Sequence, residues 1–313
     1  MLAFIQMIFS PLEYALDIFY VSLYMKTFYW SCAWIETCRN ILLLNVGNMK
    51  IITLVENCVY GRKLQAEHGL SLYIETPHAK ILFDTGQSDL FMRNARFLHV
   101  DLKEVDMLVL SHGHSDHSGG LHAFLAYNQK AKVYCKREAL DRKFKGEREN
   151  GMEHPDQLDL SRFCFLTEQT EVAAGVFVLP ELAIVNPEDT HFDCFDVLRN
   201  GVLQPDHFED ELALVLRADD KLTVLSACSH RGITNILEQV KHNFPNEPIG
   251  LVIGGYHIHK AEPGKCSIIA DYFKTMPETR VGVCHCTGVD KFAVLAGQLG
   301  DRVFYNHTGL VTE

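Results

Sequence analysis

The stretch that most constrains this chain is VDMLVL-SHGHSDHSGGL, residues 105–121, where a continuous apolar run empties into a histidine-dense loop. A run apolar at all but one position, Asp106, reads as a strand buried on both faces, so the chain must build a sheet with layers above and below it. Side chains just after such a strand sit at the carboxyl edge of the sheet, where α/β proteins form their sites. His112 and His114 are two residues apart, so in extended backbone they point to one side. Asp116 and His117 are adjacent and reach a second point only if the chain turns, a turn that Gly113 permits, while Gly119-Gly120 keeps the backbone close. Three imidazoles and a carboxylate within six residues are nitrogen and oxygen ligands, suited to zinc, iron or manganese.

The rest of the chain supplies the layers. Lys50–Glu56 reads as a strand, and Leu70–Glu75 and Lys80–Phe83 flank Pro77-His78 as a hairpin. Leu121–Tyr127 reads as helical and Lys132–Cys135 as a strand. The charged stretch Arg137–Leu160 reads as an insertion or mobile loop. Strands follow at Val172–Leu179, Glu211–Arg217 and Leu222–Ala227. Helix Ile233–His242, strand Ile249–Ile253, segment Lys265–Thr275, strand Val281–Val283, helix Val289–Leu299 and strand Val303–Tyr305 then alternate. Hairpins followed by alternation predict two sheets covered by helices, an αββα four-layer sandwich of α/β class over residues 49–313.

Residues 1–48 differ in character. They hold ten of the 32 aromatic residues and none of the sixteen histidines, with only Glu13, Asp17, Lys26, Glu36 and Arg39 charged. Charge and Pro11 interrupt every window long enough to span a bilayer, and no basic start of a secretory signal is present. The stretch is read as a hydrophobic, aromatic-rich extension outside the catalytic domain, and membrane contact is expected only through it. The net charge of −11 argues against nucleic-acid binding through a basic surface. Ten cysteines without any C-x-x-C, in a chain lacking a secretory signal, predict reduced thiols and a cytoplasmic location.

Three further strands end in histidine: Ala227-Cys228-Ser229-His230, Gly254-Gly255-Tyr256-His257 and Cys284-His285-Cys286. The loop His112-Gly-His114-Ser-Asp116-His117 resembles the H-x-H-x-D-H signature of the metallo-β-lactamase fold superfamily. Asp84 in ILFDTG resembles the strand-end aspartate that orients a ligand there. ACSHRGI, IGGYHIH and VCHCTG are similar to segments of the dihydropterin-ribofuranosylaminobenzene-phosphate-synthase-like branch, whose members are often called metal-dependent hydrolases. The match spans residues 49–313. It departs from the wider superfamily in placing Cys228 where a bridging aspartate is usual, and His154, His191 and His207 lie in loops without a motif.

The resemblance implies a metallo-β-lactamase-like fold and two divalent transition-metal ions, zinc first, with Mn2+ or Fe2+ as alternatives. His112, His114 and His230 would hold one ion; Asp116, His117 and His285 the other. Asp84, Cys228 and His257 would orient ligands or meet substrate, and a Cys228 thiolate could itself bridge or bind. Asp116 is the expected catalytic proton carrier. A metal-bound hydroxide would then hydrolyse an ester or phosphoester of a small, anionic substrate. The alternatives are a synthase-type transfer releasing diphosphate and a non-catalytic metal-binding protein. His68, His99, His122, His259 and His307 carry no such signal, and the sequence leaves the oligomeric state open.

Overall fold

The computed structural model describes residues 49–261 and 263–313; the aromatic-rich stretch 1–48 and its expected role as an extension lie outside the described residues. Met49–Glu313 forms one compact unit. Its first sheet begins as an antiparallel meander of β1 (Lys50–Val55), β2 (Ser71–Glu75) and β3 (Lys80–Phe83). It continues in parallel through β4 (Met107–Val109), β5 (Lys132–Cys135) and β8 (Phe163–Phe165), while β18 (Val311–Thr312) pairs antiparallel to β1.

The second sheet repeats that plan. Antiparallel β9 (Thr170–Ala173), β10 (Val176–Leu179), β13 (Ala213–Ala218) and β14 (Lys221–Leu225) lead into parallel β15 (Ile249–Gly254), β16 (Arg280–Val283) and β17 (Val303–Tyr305). The expected single strand Val172–Leu179 is instead the hairpin β9–β10, because Gly175 takes φ +74° and turns the chain.

Three apolar clusters separate four layers. Alternation along β1 sends Ile51 between the two sheets and Ile52 and Leu54 outward. Between the sheets, Leu72, Ile74, Ile81 and Phe83 meet Val178, Leu214, Leu216 and Ile253. Outside the first sheet, Phe91 of α1 (Leu90–Phe97) and Phe124 of α3 (Leu121–Tyr127) pack with Leu82, Leu108 and Val133. Outside the second, α4 (Ile233–Asn243), α5 (Pro263–Lys274) and α6 (Val289–Leu299) bring Ile236, Ile269 and Leu295 onto Val224, Val252 and Val281. Each such buried aliphatic side chain contributes about 1.5–3 kcal/mol. This is the expected αββα sandwich. Among the described residues, no helix is long and apolar enough to cross a membrane.

The stretch Arg137–Leu160, expected as an insertion or mobile loop, instead contributes β6 (Arg142–Lys145) and β7 (Arg148–Glu149) to a third, antiparallel sheet with β11 (Phe195–Arg199) and β12 (Val202–Pro205). Its centre is Lys143, fully buried, with Nζ 2.7 Å from Asp206 and 3.0 Å from Asp210. A lysine is tolerated there because two carboxylates compensate its charge.

Candidate metal centre

Strands β3, β4, β14, β15 and β16 end along one side of the sandwich, and their exits deliver the histidines. After β4, Ser111 donates its N–H to Asp84 Oδ1 and its hydroxyl to Asp84 Oδ2, each at 2.7 Å. Gly113 donates its N–H to Asp210 Oδ2 at 2.7 Å, and a Cβ on it would lie 2.2 Å from the Ala139 carbonyl oxygen. Glycine is required there by close approach rather than for the expected turn. The turn comes from the short helix α2 (Ser115–Ser118), which starts after His114 and swings Asp116 and His117 to a second point. The third sheet holds this start in place: Ser115 N–H donates to the Asn150 carbonyl at 2.9 Å, and His114 bridges Gly151.

His112, His114 and His230 form one cluster, with ring centroids 4.7, 5.3 and 5.1 Å apart (His112–His114, His112–His230, His114–His230). Ser111 Oγ is 2.9 Å from His112 Nδ1, and the Ser111 proton is already given to Asp84, so His112 Nδ1 is the donor. His230 Nδ1 likewise faces the His191 carbonyl, at 3.4 Å. Both rings therefore turn a lone pair outward from Nε2. The Nε2 atoms of His112, His114 and His230 are all buried without a partner. Burial, reinforced by neighbouring cationic or imidazole groups, pushes all three imidazoles well below their ordinary pKa, keeping them in the neutral form a metal requires.

The second cluster is tighter. His117 Nε2 lies 3.2 Å from His285 Nε2, and Asp116 Oδ2 lies 3.8 and 3.4 Å from those two atoms. His117 Nδ1 is 2.8 Å from Asp84 Oδ2, and His285 Nδ1 is 2.8 Å from Asn57 Oδ1, so both rings again present Nε2 inward. Burial opposes charge on His117, but Asp116 and Asp84 outweigh it and raise its pKa to about 9. Burial likewise opposes the Asp116 carboxylate, and the His117 charge with hydrogen bonds from His285 and His68 holds it well below the usual range. Acceptor atoms crowded this closely need a cation among them, a proton or a metal. Both clusters thus fit the two-ion expectation in donor chemistry.

Cys228 stands between them. Its Sγ is 3.2 Å from His117 Nε2, and it can join either His112 and His230 or His117 and His285 around one ion. His257 is half-buried, its ring 4.2 Å from that of His230. On the other side Phe208 stacks on His230 at 3.7 Å, and Phe195 stands 5.2 Å from both His114 and His230. Strand β11 and the segment after β12 thus supply an apolar wall against one face of the imidazoles.

Five further residues support the site without belonging to any of the sequence motifs. His68, which carries no motif, lies at the mouth, its side chain 62% exposed and Nε2 3.1 Å from Asp116 Oδ2. Asn57 joins it, donating to His68 Nδ1 while its oxygen holds His285. Glu56 accepts the His285 N–H, and Glu211 the N–H groups of His230 and Arg231. Burial raises Glu211 to about 7. The available signal for Glu56-Asn57 was position: they follow the apolar strand β1, as the ligands follow theirs. His191, from a loop without a motif, exchanges backbone contacts with His230, donating its N–H to the His230 carbonyl at 2.7 Å.

A four-layer αββα sandwich with imidazole clusters at its strand ends defines a class of metal-dependent enzyme scaffold. The model of the metallo-beta-lactamase superfamily matches residues 65–208. The solved structure of Tm1679, a metal-dependent hydrolase of the beta-lactamase superfamily, is 34% identical, with a TM-score of 0.76, over 85% of this chain and 99% of that one. Two proteins of Methanocaldococcus jannaschii are also similar. The uncharacterized protein MJ0448 is 28% identical over 82% of this chain and 97% of its own length. A 7,8-dihydropterin-6-methyl-4-(beta-D-ribofuranosyl)-aminobenzene-5'-phosphate synthase is 29% identical over 79% and 91%. The chain belongs to the metallo-β-lactamase superfamily.

Proposed function

We propose that this protein is a metal-dependent hydrolase with a dinuclear centre, acting on a small anionic ester or phosphoester. The observation that carries the reading is the set of buried imidazole Nε2 atoms of His112, His114 and His230, orphaned beside the crowded acceptors of Asp116, His117 and His285. Those six residues would hold the ions, with Zn2+ first and Mn2+ or Fe2+ as alternatives. When bound, divalent ions supply Lewis acidity and bring the pKa of water towards about 7.

The chain's own part is positioning and proton handling. Asp84 and Asn57 fix the rings of His117 and His285. Asp116 Oδ2, in reach of His68, is the atom at which a proton is taken up and passed to the mouth of the site. Phe195 and Phe208 exclude water from the side opposite, and the His257 ring stands beside that of His230. Charge on the ions makes the overall acidity no obstacle to an anion. The unpaired thiols among the described residues favour a cytoplasmic location, and the extension 1–48 stays outside the chemistry.

A second reading, transfer with release of diphosphate, is favoured by the likeness to the synthase. Purified full-length protein decides between them. Metal analysis should find bound transition metal, and phosphodiester, thioester and lactone substrates should be turned over. Diphosphate release from a dihydropterin methyl diphosphate and a ribofuranosylaminobenzene phosphate would instead select the transferase. Folded protein that carries no metal and takes up none from added Zn2+ would overturn both.

A further inference from the structure

Two thiols meet at the edge of this centre: Cys228, which can join its imidazoles, and Cys286, which has no part in them. Cys228 leaves β14, His257 follows β15 and Cys286 follows β16, so three neighbouring strand ends converge. Their ligand atoms all lie within 4.8 Å of one another. Cys286 Sγ accepts the His257 N–H at 3.2 Å and sits 3.7 Å from the Cys228 carbonyl oxygen.

The backbone is shaped around this pocket. A Cβ on Gly255 would lie 2.5 Å from Cys286 Sγ, so any larger residue there would expel the thiol. His257 adopts φ +48°, a left-handed conformation uncommon for a residue that carries a side chain. Its Nδ1 is buried without a hydrogen-bond partner. The result is two sulfurs and one imidazole gathered within ligand reach of one another, with no carboxylate among them.

We infer that Cys228, His257 and Cys286 form a further metal site, for one thiophilic d10 ion such as Zn2+ or Cu+. Sulfur with imidazole is a soft donor set, unlike the nitrogen and oxygen set of the imidazole centre. Each thiol releases its proton to solvent as its sulfur–metal bond forms. Three protein ligands leave one coordination position open. Cys228 is the shared corner, and only in that sharing does the site rest on the proposed dinuclear centre.

Cd2+ is the probe, since sulfur-to-cadmium charge transfer absorbs in the ultraviolet where nitrogen and oxygen ligation does not. Full-length protein titrated with Cd2+ should show the band of two thiolates. C286S should halve that band and bind one ion fewer, while C228S should also disturb the imidazole-bound ions. H257Q keeps both sulfurs, so it should retain the band but bind this ion at least tenfold more weakly. It also keeps the site testable if C286S misfolds. A C286S protein with the same band and stoichiometry as wild type, or an H257Q protein with unchanged affinity, would overturn the site. If wild type lacked the imidazole-bound ions altogether, the proposed function would fall instead, and the two failures are told apart by counting those ions in C286S.

Discussion

Asp84 and His117 meet at 2.8 Å in a position where neither side chain has any exposure to solvent. One carboxylate oxygen takes the Ser111 N–H and the other takes both the Ser111 hydroxyl and His117 Nδ1. Asp84 thereby ties the end of β3 to both arms of the HGHSDH loop. A ring so held cannot swing its Nε2 away from the centre.

Replacing Asp84 by Asn should keep the shape but weaken the hold on His117. The expected result is a loss of metal affinity of about 10–100-fold, the range usual for such supporting partners. Competition with a chromophoric chelator measures it. Wild-type affinity in the variant would mean the His117 ring is fixed by packing alone.

His114 and His285 belong to different clusters, so their removal should be separable. His114→Ala and His285→Ala are each expected to lower bound metal by about one equivalent, with the fold retained because each imidazole Nε2 lacks any structural hydrogen bond to a backbone group. Elemental analysis of both proteins is the check. Full metal content in either variant would remove that residue from the ligand set.

Lys143 makes a prediction about stability. Its truncation to Met strands the buried carboxylates of Asp206 and Asp210, and breaking a buried charge cluster in this way costs about 3–5 kcal/mol. Because Asp210 also holds the Gly113 N–H, metal affinity should fall along with stability. Denaturant unfolding measures the first effect. The triple variant with Asp206→Asn and Asp210→Asn should recover much of the loss, and a triple variant no better than Lys143→Met would show that burial of charge is not the cause.

Asp189 governs a pH effect. Burial raises its carboxyl from 3.8 to about 6, while hydrogen bonds from the Thr234 N–H and hydroxyl pull the other way. A folded-state pKa above the unfolded one means the folded chain binds the proton more tightly. The contribution to stability is therefore complete below about pH 4 and is lost as pH rises through about 6. Asp189→Asn should flatten that part of the profile in urea unfolding between pH 4 and 7. A slope identical to wild type would assign the titration to another group.

Much of this protein was legible in one dimension because the signals are local. Apolar runs of the right length marked β3, β4, β14, β15 and β16, and the ligand residues follow those strands directly, so locating a strand end also located a histidine. The spacing of His112 and His114 needs only the alternation of an extended chain. The strand pairings of the third sheet were not legible: β6 finds β11 some fifty residues away, and a charged stretch has no periodicity to announce such a partner. For the same reason Phe195 and Phe208 could not be seen as the wall behind His230, nor His68 as a neighbour of Asp116.

What the sequence determined by itself was the layered αββα architecture and which donor atoms stand at its strand ends, since both follow from residue type and local period. Only the tertiary structure decided how closely the atoms of each group approach, which ring Asp84 and Asn57 each fix, and that Cys286 lies beside Cys228. Those relationships join strands that neighbour one another in a sheet rather than along the chain, and distance in the sheet is set by packing.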